Sequence, residues 1–177
     1  MIYVSQGHEK GIGLEIFLKA FLCLDKHFQS QFKLYCFKES LLKTLKLSHI
    51  NYLEKSNSVL ELNGSLLNVN FLENKVFSES SSSLLEILKF ITPEDHLITL
   101  PTSKDQLALN GTNLNGHTEL FRKFYNDQAI SMNFISPEFN CLLLTDHISI
   151  GDVEKTLTED YILNKVTITL ENIEKIK

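Results

Sequence analysis

Three stretches of this chain end on residues able to do chemistry. Thr99-Leu100-Pro101-Thr102-Ser103-Lys104 closes an apolar run with hydroxyls and a lysine. Gly116-His117-Thr118-Glu119 sets an imidazole and a hydroxyl directly after a glycine. Thr145-Asp146-His147 follows the apolar run Cys141 to Leu144. A histidine and a threonine opening a helix would offer N–H groups, a hydroxyl and an imidazole to a phosphate or carboxylate. Lys104 would neutralise such an anion. A neutral imidazole at His147, oriented by the neighbouring carboxylate, suits a divalent metal. One histidine cannot complete a metal centre, which needs three or more ligands. Each residue also has a plainer reading: Thr118 as a helix cap, Lys104 as a solvated lysine, His147 as a cap or a loop-bonded histidine. His8, His27, His49 and His96 have no convergent partners in the sequence. Ser103 with His117 does not suggest a hydrolase, because no nucleophile elbow is present.

These stretches must be positioned by strands and helices that alternate along the chain. Ile2 to Val4 reads as a buried strand, Ser5 to Gly13 as a glycine-containing turn, and Gly13 to Phe28 as a helix with an apolar stripe. That turn is neither G-x-G-x-x-G nor a P-loop. Phe32 to Phe37 reads as a strand, Glu39 to Leu47 as a helix and Tyr52-Leu53 as a short strand. Asn63-Gly64 between two apolar runs predicts a hairpin. Ser78 to Ser83 reads as a helix start, and Pro93 as a stop. His96 to Leu100 is an expected strand, Ser103 to Leu109 a short helix, Asn110 to Gly116 a polar loop and His117 to Tyr125 a helix. Ile130 to Phe134 alternates as a half-buried strand, and Cys141 to Leu144 reads as a buried one. Thr158 caps an expected last helix with a stripe at Ile162, Val166, Leu170 and Ile173, although Val166 to Thr169 is a β-branched run that also fits a strand. Strand–helix alternation implies an α/β fold with a mostly parallel sheet flanked by helices. A last helix with no further strand to cover hints at an incomplete domain.

Composition narrows the function classes. The chain has 177 residues, 43% hydrophobic and 22% charged, which suits one domain, or one domain plus part of another, and a packed core. A net charge of -5 with no Lys/Arg cluster argues against nucleic acid. No apolar run approaches a membrane span, and no signal peptide is visible. Cys23, Cys36 and Cys141 lie singly in apolar runs, which reads as buried, reduced cysteine in a cytoplasmic protein.

Together the motifs resemble the 4-hydroxythreonine-4-phosphate dehydrogenase family of vitamin B6 biosynthesis. Gly7 to Glu15, ending Gly11-Ile12-Gly13-Leu14-Glu15, is similar to its opening G-D-P-A-G-I-G-P-E. Thr99 to Lys104 is similar to its T-x-P-x-x-K, Gly116 to Glu119 matches G-H-T-E, and Thr145 to Asp152 is similar to T-T-H-L-P-L-R-D. The resemblance implies an isocitrate/isopropylmalate dehydrogenase-like fold of two α/β lobes, here incomplete. Residues 1–100 would form the N-terminal part of the first lobe and 101–177 the first part of the second. It implies NAD- or NADP-dependent, metal-assisted oxidation and decarboxylation of 4-phosphooxy-threonine, a small phosphorylated substrate, by a homodimer. His117 and Thr118 inherit substrate contacts, and His147 inherits a metal contact, with zinc, magnesium or cobalt as the ion. Lys104 and Asp152 are weaker candidates, and no position inherits a catalytic role. His117 and His147 are expected to face one hollow.

Departures matter as much as matches. His8, Glu9 and Leu14 replace an aspartate and two prolines of the opening motif, and Gly151 replaces an arginine. The family's other metal-binding histidines, in N-P-H-A-G-E and Y-H-D-Q-G segments, have no counterpart here, and most nicotinamide contacts are expected there too. The chain therefore reads as about the first half of such an enzyme. Two alternatives remain: a degenerate, non-catalytic binding or interaction module, and a dehydrogenase of a related phosphorylated four-carbon acid.

Overall fold

The computed structural model describes residues 1–126, 130–146 and 148–173. The chain forms two compact units, Met1–Leu120 and Phe121–Lys177.

The first unit opens with strand β1 (Ile2–Ser5) and helix α1 (Gly13–Cys23). The helix expected to run on to Phe28 breaks at Leu24, which is extended at ψ 155°. The Asp25 carboxylate then accepts a hydrogen bond from Phe28 N and starts a separate turn, α2 (Lys26–Gln29). Next come β2 (Phe32–Cys36), α3 (Lys38–Leu47), β3 (Tyr52–Ser56), β4 (Val59–Leu62), β5 (Ser65–Phe71), α4 (Glu79–Leu88) and β6 (His96–Thr99). Six strands make one sheet in the order β3-β4-β5-β2-β1-β6. The β5-β2, β2-β1 and β1-β6 pairings are parallel, and β3-β4 and β4-β5 are antiparallel. This is the mostly parallel α/β sheet that the alternation predicts. Asn63 (φ 47°) and Gly64 (φ 86°) turn the β4–β5 hairpin in the left-handed region that N-G sequences favour.

Side-chain alternation assigns the two faces. Ile2, Val4, Phe32, Leu34 and Cys36 pack with Leu14, Phe17, Leu18 and Phe21 of α1 and Leu41 and Leu45 of α3. Each fully buried leucine contributes roughly 2 kcal/mol through the water it sheds. Tyr3 and Tyr35 point the other way and meet Phe90 after α4, with ring centroids 5.3 and 5.7 Å away. Helix α4 covers that face with buried serines as well as Leu84 and Ile87.

Ser103 to Leu109 is not one helix. Only Lys104–Gln106 winds, as a 3-10 turn. Ala108–Leu109 (β7) pairs with Thr112–Asn113 (β8) across Asn110 and Gly111, at φ 51° and 78°. This is a second N-G hairpin with the same signal as the first, and Ser81 fixes it by accepting from Ala108 N at 2.8 Å. Helix α5 (His117–Phe124) then crosses the division between the units.

In the second unit, β9 (Met132–Ile135) and β10 (Asn140–Leu143) form an antiparallel hairpin. Helices α6 (Ile150–Thr156) and α7 (Glu159–Ile173) follow. The β-branched run at 166–169 is helical, with Thr158 Oγ1 accepting from Tyr161 N at 3.2 Å as a cap. β10 is not a fully buried strand: in this two-stranded sheet Asn140 and Cys141 are exposed, and Leu142 and Leu143 are half-buried. Cys23 is exposed too, so only Cys36 fits the buried-cysteine expectation. Burial pushes the Cys36 thiol pKa well up, with the Glu79 charge adding to the effect. No described helix is long and apolar enough to cross a membrane.

Candidate functional site

β1 has β2 on one side and β6 on the other, so the chain's crossovers leave it in opposite directions. A crevice opens beyond the carboxyl ends of strands at such a switch point. Two segments meet there: the loop after Ser5, and Leu100 to Lys104 after β6. They touch closely. His8 N donates to Pro101 O at 3.0 Å, and a Cβ on Gly7 would lie 2.2 Å from that same oxygen. The His8 imidazole is spent on the turn, its Nδ1 accepting from Lys10 N at 2.9 Å. The Thr102 hydroxyl is buried without a hydrogen-bond partner, and Lys104 is exposed on the 3-10 turn.

A buried polar scaffold behind these two segments was not visible in the sequence. Gln6 is 1% exposed; its Oε1 accepts from Phe37 N at 2.8 Å, and its amide nitrogen donates to Glu79. Ser40 Oγ donates to the same carboxylate at 2.5 Å. Ser83 Oγ accepts from Gln6 N at 2.8 Å and donates to Tyr35 O at 2.6 Å, joining the ends of β1 and β2 to α4. Ser78 and Ser81 both donate to Gln106 O, at 2.5 and 2.7 Å, and anchor the 3-10 turn that carries Lys104. The signal was the serine run itself. Four consecutive serines inside a helix are poor helix formers, and they make sense only where their hydroxyls bind neighbouring backbone.

His117 and Thr118 are the first two residues of α5, where the helix dipole concentrates partial positive charge. Gly116 is the cap whose carbonyl accepts from Leu120 N at 3.1 Å, so Thr118 is not the cap. Glu119 folds back to accept from Asn115 N at 2.7 Å and fixes the approach to the helix. Both His117 and Thr118 are half-buried. Burial pulls the His117 pKa below the usual histidine value, so the ring is neutral at neutral pH. The sign follows from linkage: below about pH 6.5 the unfolded chain takes up a proton that the folded site resists, so stability falls as pH drops through that window. Replacing His117 with Gln should flatten the loss of urea midpoint between about pH 7 and pH 5. An unchanged slope would remove this account.

The remaining expected residues stand apart or undescribed. Asp152 is exposed in the first turn of α6, 3.9 Å from Lys155 Nζ. His147 lies outside the described residues. Among the described residues no three His, Cys, Asp or Glu side chains converge as a metal-binding group. Asp146, next to His147 in sequence, is bonded at 2.6 Å to Arg122. The described part of the chain does not by itself fit a divalent metal.

Three comparisons bear on this arrangement. The family model described as Pyridoxal phosphate biosynthetic protein PdxA matches residues 92–177, which include Thr99 to Lys104, Gly116 to Glu119 and Thr145 to Asp152. A 4-hydroxythreonine-4-phosphate dehydrogenase of Sulfurihydrogenibium sp. (strain YO3AOP1) is 28% identical over 178 aligned positions, covering 93% of this chain and 55% of that protein. The chain resembles part of a 4-hydroxythreonine-4-phosphate dehydrogenase. The crystal structure of a 4-hydroxythreonine-4-phosphate dehydrogenase from Burkholderia phymatum matches with a TM-score of 0.69 at 17% identity, over 94% of this chain and 56% of that one. That likeness establishes the α/β fold shared with this dehydrogenase. This chain spans little more than half the length of either relative.

Proposed function

We propose that this chain supplies the N-terminal portion of a 4-hydroxythreonine-4-phosphate dehydrogenase and binds 4-phosphooxy-threonine through His117 and Thr118. The observation that carries the reading is Gly116-His117-Thr118-Glu119 at the start of α5, inside the stretch matched by the family model. The helix N-terminus favours an anionic group, the Thr118 hydroxyl can donate to it, and the neutral His117 ring can bond a substrate oxygen without carrying charge. Lys104 and Asp152 are the weaker contacts of the same reading. Residues 1–100 belong in it to one α/β lobe, and 101–177 open the second. In the complete homodimeric enzyme the substrate hydroxyl would be oxidised at the expense of NAD or NADP and the product decarboxylated. His147 would be one ligand of the divalent zinc, magnesium or cobalt ion, and the other ligands and most nicotinamide contacts would come from outside this chain. The commitment of Asp146 to Arg122 favours a second reading, a non-catalytic binding module that keeps the fold.

Titration of the chain with 4-phosphooxy-threonine, followed by backbone amide NMR, tests the binding. The largest shifts should fall on 116–119, and Thr118→Val should weaken binding about tenfold, the loss of one hydrogen bond to a charged group. Shifts elsewhere, or unchanged affinity in that variant, would refute the assignment. The isolated chain should show no NAD reduction and only weak metal binding. Robust turnover or tight stoichiometric metal would overturn the half-site account.

A further inference from the structure

The second unit holds a pocket of about 490 Å³ whose lining does not include His117 or Thr118. Lys165 on α7 lines it at only 7% exposure, the single buried side chain among the described residues of this unit. Its Nζ donates to Ile130 O and stands 5.7 Å from the centroid of the Tyr161 ring. The Tyr161 hydroxyl is held by Leu144 O at 2.9 Å. Arg122, the chain's one arginine, lines the same pocket and bonds Asp146 at 2.6 Å. Among the described residues, the other charged or titratable groups that line the pocket are Arg122 from α5, Asp146 from the segment after β10, and Asp160 and Tyr161 from α7.

A lysine ammonium placed out of water ordinarily takes a carboxylate of its own. Here the bonded Asp146 oxygen is engaged by the guanidinium, and Lys165 meets a carbonyl and an aromatic face. Burial and the Arg122 charge both work against the ammonium, and Asp146 offsets only part of that. An amine desolvated beside a second cation, open to a pocket, is the arrangement that makes lysine a nucleophile toward carbonyl groups.

We propose that this pocket is a carbonyl-binding site in which Lys165 condenses reversibly with small aldehydes or 2-oxo acids. The neutral amine's lone pair attacks the carbonyl carbon, an N–C bond forms, and the former C=O π electrons pass to oxygen, which is protonated from solvent. The nitrogen loses one proton to solvent, which gives the carbinolamine. Its hydroxyl takes a second proton from solvent and leaves as water as the nitrogen lone pair forms the C=N bond. The iminium gives up its last N–H proton to solvent, which leaves an imine. No oxidant or reductant is consumed. Tyr161 packs against the side chain, burial and then the Arg122 charge favour the uncharged amine, and the Arg122 guanidinium gives the pocket a cation toward a carboxylate.

Glyoxylate with sodium cyanoborohydride tests this on the full chain, because reduction traps the imine as carboxymethyl-lysine. Peptide mapping over time should find Lys165 labelled severalfold faster than Lys155, whose side chain is 81% exposed. Lys165 unlabelled, or labelled no faster than Lys155, would overturn the proposal. Replacing Arg122 with Gln should bring Lys165 down to the pace of the exposed lysines; if Lys165 still leads in a folded variant, the electrostatic account fails. The wild-type map stands even if that variant does not fold. It is also independent of 4-phosphooxy-threonine binding, so the two proposals can fail separately.

Discussion

Replacing Gly7 with Ala should destabilise the first unit by about 3 kcal/mol or more, the upper range for forcing an atom into packed structure. The added Cβ would lie 2.2 Å from Pro101 O and 3.0 Å from the Leu100 carbonyl carbon and oxygen. These are backbone atoms at the exit of β6, so they cannot swing aside as a side chain would. Relief requires moving either the loop after β1 or the segment after β6, and either motion breaks the 3.0 Å bond from His8 N to Pro101 O. The same movement would displace Thr102 and Lys104, which follow Pro101 in the chain. Gly116→Ala is the control, since a Cβ there meets nothing within 4 Å. It should cost about 0.5–1 kcal/mol, the loss when alanine replaces a better helix cap, with no steric component. Urea unfolding of the two variants decides the matter. A loss under about 1 kcal/mol at Gly7 would mean the two segments are not locked together.

The α/β sheet was legible because its signals are local. Ile2 to Val4, Phe32 to Cys36 and His96 to Thr99 are short apolar runs between helical patterns, and Asn63-Gly64 announces its own turn. The misreadings came where tertiary contacts decide. Leu24 could have continued α1 by its apolar spacing, but Asp25 offered the backbone a competing cap. Asn110-Gly111 carried the same hairpin signal as Asn63-Gly64, yet its strands are two residues long and draw on Ser81 for support. β10 looked buried from composition alone, but composition cannot count layers, and a lone hairpin leaves Cys141 facing water. At the candidate site, the position of His117 and Thr118 at a helix start could be read from Gly116 and the following periodicity. The pairing of Arg122 with Asp146, 24 residues away, could not. Nor could the burial of Lys165 in a helix whose Leu170, one of the four expected stripe residues, is 61% exposed.

Gln6→Leu should cost about 3 kcal/mol, although leucine is apolar and the site is buried. Volume is roughly conserved, so the loss is polar. Phe37 caps α3 without a side-chain bond of its own, and Gln6 Oε1 is the acceptor for its N–H. With leucine that N–H loses its partner at position 6, and Glu79 keeps only the Ser40 hydroxyl of these two donors. An unmet buried donor and a half-solvated carboxylate cost about 1–3 kcal/mol each. The double variant Gln6→Leu, Glu79→Leu separates this from packing. Removing the carboxylate together with its donor takes away the charge that needed solvation, so the pair should lose less than the sum of the singles by about 1 kcal/mol or more. Strict additivity would mean Gln6 acts through shape alone. Coupling would mean that the loop from Gly7 to Gly13 is carried on a polar foundation running from α4 through Gln6 to α3, and that any ligand held by that loop inherits its rigidity.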